Sequence, residues 1–197
     1  AVKHAVYGAV NAVAASGAEP VAIVFSAVFP SVSEESSVKE RMAELEDACR
    51  VLHVQAAKEQ IRVTGAVNCP VFTVTGYGRL AGCAGTEEGI GTGIKTGSKT
   101  VPVHKILPGQ DIVASKWAGL EGTSVLARAR ERELSAKYPF RFIEEAKGFD
   151  RFLSVVPEAA TAVKSGVCAM HSASEGGIFG ALWELAEGAG VGLEIDL

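Results

Sequence analysis

The stretch of this sequence best suited to chemistry is Met170-His171-Ser172-Ala173-Ser174-Glu175-Gly176-Gly177, which lies between an apolar run and a helical pattern. Glycines at a helix start leave bare amides facing whatever sits before them, and the helix dipole favours an anion there. The chemistry on offer is recognition of phosphate or carboxylate, with Ser174 capping the helix and His171 nearby. In the competing reading Ser174 only caps, and Gly176 and Gly177 only allow strand and helix to pack closely. Residue types alone leave both readings standing. A lone histidine such as His171 is more often a hydrogen-bonded structural residue than a catalyst.

A second loop, Trp117-Ala118-Gly119-Leu120-Glu121-Gly122-Thr123, has the same form. Glu121 can hold a cation or a ligand hydroxyl, and Thr123 is a natural helix cap; capping is the simpler account. Gly93 to Thr100 has the composition of a phosphate loop, but Ser98 separates Gly97 from Lys99 and Pro102 interrupts the following stretch, so it reads as a flexible loop. Cys49, Cys69, Cys83 and Cys168 form no CxxC pair, and His4, His53, His104 and His171 show no ligand spacing. No metal site is expected.

The elements that must position these loops follow from periodicity. Ala1 to Ser16 reads as a helix with Val2, Val6, Ala9, Val10 and Val13 on one face and Gly17 as its stop. Val21 to Phe29 is a buried strand. A second helix covers Ser33 to Leu52, its stripe being Val38, Met42, Leu45, Cys49 and Leu52, with Ser31 and Glu34 at capping-box spacing. Ile61 to Thr64 and Val71 to Tyr77 read as strands joined through Gly65 and Asn68-Cys69-Pro70. Gly76 to Gly97 is glycine-rich and reads as a mobile connection, which puts a domain junction near residues 80–108. Beyond it the pattern predicts a strand at Asp111 to Trp117 and a charged helix at Thr123 to Lys137. A helix opened by Pro157 runs to Lys164, followed by a strand at Val167 to Met170 and a helix at Gly177 to Ala189. The alternating segment Val191 to Leu197 reads as a half-buried strand. Both ends of the sequence fall inside elements, the expectation for a chain truncated at each end.

Composition narrows the function classes. Nineteen Lys and Arg against 23 Asp and Glu give a net charge of −4, which argues against a nucleic-acid partner bound by bulk charge. No apolar run reaches the roughly 20 residues a membrane span needs. The scattered cysteines, and an N-terminus without a basic region and apolar core, point to the cytoplasm.

Six blocks in order, Asn11–Pro20, Val63–Gly76, Pro108–Val113, Gly119–Thr123, Ser154–Ala159 and Ala169–Glu184, resemble the aminoimidazole ribonucleotide (AIR) synthase-like, or PurM-like, superfamily. The nearest branch is that of AIR synthase-related proteins often called hydrogenase maturation factors. The resemblance implies an α/β (α+β) protein in two domains. Residues 1–80 would be an N-terminal, ATP-binding sheet domain that dimerises, 81–107 a glycine-rich connection and 108–197 an incomplete C-terminal α/β domain. It implies a homodimer that takes a nucleotide or small-molecule substrate, uses ATP and magnesium, and activates its substrate by phosphoryl transfer. Carried residue by residue, the ATP or phosphate positions are Asn11, Arg62, Ser174, Glu175, Gly176 and Gly177. The substrate-loop positions are Glu121, Gly122, Thr123 and His171.

Three departures share one chemical direction. The family places aspartate at the positions of Ala12 and Ser172, and glutamate at Arg62, within a Gly-Gly-His-Thr-Glu segment that here reads Lys58 to Arg62. Magnesium prefers hard carboxylate oxygens, so these exchanges disfavour the cation. Arg62 can instead pair directly with a phosphate. The sequence therefore carries two expectations: an ATP-dependent phosphoryl-transfer protein, or a catalytically degraded pseudoenzyme that keeps the fold as a dimeric scaffold or regulatory subunit.

Overall fold

The computed structural model describes residues 2–80 and 106–195. Helix α1 (Val2–Ala15) buries Val2, Val6, Tyr7, Val10 and Ala14. Gly17 ends it in the left-handed region at φ 83°, its N–H donating to the Ala14 carbonyl. That conformation is open to glycine at no steric cost.

Strand β1 (Glu19–Pro30) alternates from Ile23 to Phe29, with Ile23, Phe25, Ala27 and Phe29 buried. Helix α2 (Glu35–Leu52) returns the chain so that β2 (Gln55–Thr64) runs parallel to β1, and β3 (Val71–Arg79) pairs with β1 antiparallel on its other side. The order is β2-β1-β3. The two strands joined through Gly65 and Pro70 are therefore not neighbours. The most apolar strand takes the centre, where both its edges are paired.

Helices α1 and α2 cover one face of the sheet. Val2, Val6, Val10, Phe25, Phe29 and Leu45 form the heart of that core, and Phe72 stacks on Phe25 with ring centroids 6.0 Å apart. The α2 stripe buries Leu45, Cys49 and Leu52, with Val38 and Met42 packed at its edge. Burial, with Glu59 adding to it, pushes the Cys49 thiol above its ordinary pKa. The capping box expected at Ser31 and Glu34 does not form. Glu34 is itself the N-cap residue, without a side-chain cap, and a turn from Pro30 to Ser33 precedes it.

The second half is helical: α3 (Leu120–Ala129), α4 (Glu131–Ser135), α5 (Phe140–Lys147), a 3₁₀ turn (Gly148–Phe152), α6 (Val156–Lys164) and α7 (Gly177–Ala189). Four expected elements differ. The helix expected from Thr123 to Lys137 begins at Leu120, with Gly119 as N-cap, and breaks at Arg130 (φ −119°, ψ 25°). Asp111 to Trp117 and Val167 to Met170 are not strands, and residues 191–195 form none. A strand needs a paired edge, and among the described residues the sheet consists of β1, β2 and β3. Without one, Ile112, Val113 and Trp117 stay exposed. The glycine-rich stretch through Gly97, including the loop Gly93 to Thr100, lies outside the described residues from residue 81 onward. Among the described residues no helix is long and apolar enough to cross a membrane.

Leu153 and Val156 reach from the helical half into the core under α1. α1 is thus held between the sheet and the second half of the chain.

Candidate functional site

The loop before α7 is shaped by glycine. Gly176 (φ 82°) and Gly177 (φ 63°) are both left-handed, and the Gly177 N–H donates to the Ser174 carbonyl at 3.0 Å. A Cβ on Gly176 would stand 3.3 Å from Gly180 Cα, so the turn lies tight against its own helix. Gly176 is the N-cap residue and no side chain caps α7, so Ser174 does not take the capping role expected of it. The first turn of α7 carries no acidic residue. The Ser174 carbonyl takes the Gly177 amide, and no side chain caps the helix-start amides that follow, which is the arrangement an anion favours. Ser174, Glu175, Gly176 and Gly177 are all exposed.

His171 is tied down. Its Nε2 lies 2.6 Å from Glu184 Oε2, which fastens the start of the loop alongside the middle of α7. Phe179, Leu182, Trp183 and Ala186 of α7 line an open groove of about 410 Å³ with Val191 and Leu193.

The other sequence candidates lie elsewhere. Gly119 (φ 75°) opens α3 in place of Thr123, and Glu121, Gly122 and Thr123 are exposed on its first turn. The Glu121 carbonyl accepts a hydrogen bond from the buried Ser124 hydroxyl at 2.9 Å. Arg62 lies on β2 opposite Val28, exposed at the sheet edge. With the Gln60 amide turned so that its oxygen faces Arg62, it accepts from Nη2 and Nε at 3.0 Å each.

Asn11 is engaged on both sides of its amide. Nδ2 donates to the Leu153 carbonyl at 2.7 Å, and Oδ1 accepts from the Val155 N–H at 3.0 Å. Among the described residues, no hydrogen bond or ion pair joins Asn11, Arg62, the α3 loop and the α7 loop to one another, and α7 packs broadly on none of α1, α3 or the sheet.

Sequence reasoning missed Lys116, which ties the second half together, and Asp150, which joins that half to α1. Lys116, in the left-handed region at φ 66°, donates to the Phe152 and Ser154 carbonyls and pairs with Glu158 at 3.0 Å. Asp150, nearly buried, accepts from Lys3 at 3.0 Å and from Arg128 at 2.7 Å. Burial pushes the Asp150 carboxyl up, but the hydrogen bonds from Lys3 and Arg128 outweigh it, leaving the group below its ordinary 3.8. The available signal was the spacing of Lys3, Tyr7 and Asn11, four apart along α1.

No group of three or more His, Cys, Asp or Glu among the described residues is arranged to hold a metal ion. Ala12 and Ser172, where the resemblance implies magnesium-ligating aspartates, supply no carboxylate.

The architecture is a mixed α/β one: a small mixed sheet covered by helices, followed by a helical half that opens loops at glycine-headed helices. The family model described as AIR synthase related protein, N-terminal domain, matches residues 2–80, and that of the C-terminal domain matches residues 108–197. The chain belongs to the AIR synthase-related family. Among solved structures it is similar to ThiL of Aquifex aeolicus complexed with AMPPCP and TMP, at 16% identity and TM-score 0.52, over 82% of this chain and 46% of that one. It is also similar to the hydrogenase maturation protein HypE in complex with ATP, at 23% identity and TM-score 0.39, over 41% of this chain and 24% of that one. A HypE–HypF complex matches at 22% identity and TM-score 0.38, over 40% of this chain and 27% of that one. The chain therefore spans less than half the length of these relatives. No curated protein matches it.

Proposed function

We propose that this chain binds ATP and serves phosphoryl transfer to a small substrate, as a hydrogenase-maturation-type member of its family. The observation that carries this reading is the loop Ser174 to Gly177. Two successive left-handed glycines head a 13-residue helix with no side-chain cap, in a family whose relative ThiL was solved with AMPPCP and TMP. Phosphate oxygens suit such amides. In this proposal residues 1–80 and 108–197 are the two domains and 81–107 connects them. The protein is a cytoplasmic homodimer joined through the open face of the β2-β1-β3 sheet. Sedimentation equilibrium giving a monomer well above micromolar concentration would count against the dimer.

A second reading has its own observation. The Asn11 amide is spent on Leu153 and Val155, and Ala12 and Ser172 lack carboxylates. These favour a scaffold or regulatory subunit that binds nucleotide without turning it over. Calorimetric titration with ATP, in magnesium and in chelator, combined with an assay for ADP release, separates the two. We expect ATP to bind with magnesium adding less than about tenfold, or 1.4 kcal/mol. ADP release supports the transfer reading, and binding without turnover supports the scaffold. A folded protein that binds no ATP overturns the nucleotide assignment.

A further inference from the structure

The loop before α7 is held at both ends. At its head the Gly177 N–H donates to the Ser174 carbonyl at 3.0 Å, and the Gly180 N–H to the Gly176 carbonyl at 3.1 Å. At its foot His171 Nε2 meets Glu184 Oε2 at 2.6 Å. Between these points the loop lies on the helix itself. A Cβ on Gly180 would stand 3.2 Å from the Glu175 carbonyl oxygen, and one on Gly176 would stand 3.3 Å from Gly180 Cα. Gly177, Gly180 and Glu184 fall three and four apart along α7 and so share one face. Residues 171–176 therefore run back along that face, from Glu184 to the helix head.

We propose that Glu184 is the positioning residue of this loop: through His171 it pins residues 171–176 along α7, in the shape that leaves the helix-head amides open to phosphate. The assignment rests on the reading of that head as the phosphate site.

Glu184 cannot touch an anion at the head. It lies two turns into α7, roughly 10 Å along the axis from Gly177. Whatever it does for the head by contact it does through His171. Among the described residues, the His171–Glu184 pair is the one side-chain hydrogen bond or ion pair that segment 171–176 makes. The rest of the loop's shape depends on backbone. Gly176 and Gly177 are both left-handed, and glycine reaches other regions as readily, so their stereochemistry alone does not hold the turn. A carboxylate only accepts, so Nε2 is the donor in the neutral ring and in the protonated ring alike. The pin therefore holds in either charge state of the imidazole.

The pair is half open to water, with side-chain exposures of 31% for His171 and 54% for Glu184, so its worth to global stability is small. Its worth to the loop is geometric. Charge alone gives the opposite sign: a carboxylate repels an anion, so removing Glu184 on that account would tighten phosphate. Positioning predicts that phosphate loosens. The two accounts part on direction.

Inorganic phosphate titrated into the full chain labelled with nitrogen-15, and followed at the amide resonances of residues 174–178, decides between them. Glu184→Ala should raise the phosphate Kd by about fivefold, the scale of one lost hydrogen bond, and lower the heteronuclear Overhauser effect over 172–176. Glu184→Gln keeps an acceptor for Nε2 and loses the charge, so it should bind phosphate no more weakly than the unmutated chain. His171→Ala should weaken phosphate as Glu184→Ala does, and the double variant should be no weaker than either. Resonances of residues 19–30 should stay in place throughout, the sign that the sheet is intact. Phosphate bound by Glu184→Ala as tightly as by the unmutated chain, or more tightly, overturns the positioning role while the phosphate site stands. So does a Glu184→Gln variant as weak as Glu184→Ala, or single losses that add in the double variant. An unmutated chain whose amides show no saturable shift overturns the phosphate site and this assignment with it.

Discussion

A methyl group on Gly76 of β3 would stand 2.9 Å from the carbonyl oxygen of Ala9 in α1. The Val13 side chain would meet it at 2.8 Å. α1 lies on β3 at a distance only a glycine permits, and Gly78 repeats the arrangement beneath Val13. Gly76→Ala should therefore cost about 1–3 kcal/mol, since Ala9 presents backbone, which cannot swing aside. Gly8, exposed on the same helix with nothing within 4 Å of its virtual Cβ, is the control. Gly8→Ala should gain roughly 0.5–1 kcal/mol from helix propensity. Urea midpoints at constant slope measure both.

Asn11→Ala should cost about 1–3 kcal/mol, because the Leu153 carbonyl and Val155 N–H both lose their partner in a half-buried place. Asn11→Asp keeps an acceptor for Val155 but sets a carboxylate against the Leu153 carbonyl. It should be nearly as destabilising at pH 7 and recover on acidification, when the carboxyl regains a proton to donate. Thermal melts at pH 7 and pH 4 test this.

Asp150 fixes an acid window of stability. Its folded-state pKa is depressed, so the stability it supplies is complete above the unfolded value of 3.8 and is lost as pH falls through the folded value. Asp150→Asn should flatten this acid limb and cost about 1.5–3 kcal/mol at neutral pH, the scale of hydrogen bonds to a charged group. Stability curves from pH 7 down to 2 provide the comparison. An unchanged acid limb in the variant would show that Lys3 and Arg128 find other partners.

Ser174→Ala should leave stability within about 0.5 kcal/mol, because Ser174 does not cap α7. Gly177→Val should cost at least about 1 kcal/mol through its positive φ and also weaken phosphate at the helix head. Glu175→Gln should strengthen phosphate by removing a like charge. Thermal shifts across a phosphate titration read all three. Equal phosphate-induced stabilisation in every variant would mean the loop is structural only.

The N-terminal half was largely legible because its periods are unmixed. Val2, Val6 and Val10 mark one helical face, and Ile23, Phe25, Ala27 and Phe29 alternate as a strand buried on one side must. What periodicity does not carry is which strands touch: β2 and β3 follow each other in sequence but flank β1. In the second half, Asp111 to Trp117 and Val167 to Met170 have strand-like composition, yet pairing is a non-local property and no edge meets them among the described residues. The α7 loop was visible through Gly176 and Gly177. The seam was not, because Lys3 and Asp150 are 147 positions apart and a lone charge reads as surface until its partner is known.

Held by core on one side and by the Lys3, Tyr7 and Asn11 stripe on another, α1 leaves only Gly8 and Ala12, one turn apart, exposed to water. Positions of that kind drift freely in evolution, since folding places no demand on them. The resemblance to AIR synthase-like proteins implies an aspartate at the position of Ala12. A carboxylate there would ask for no compensating change in the scaffold, because it would project from an exposed position of an otherwise undisturbed helix. That makes Ala12→Asp a natural first move for anyone wishing to walk this protein back toward its relatives.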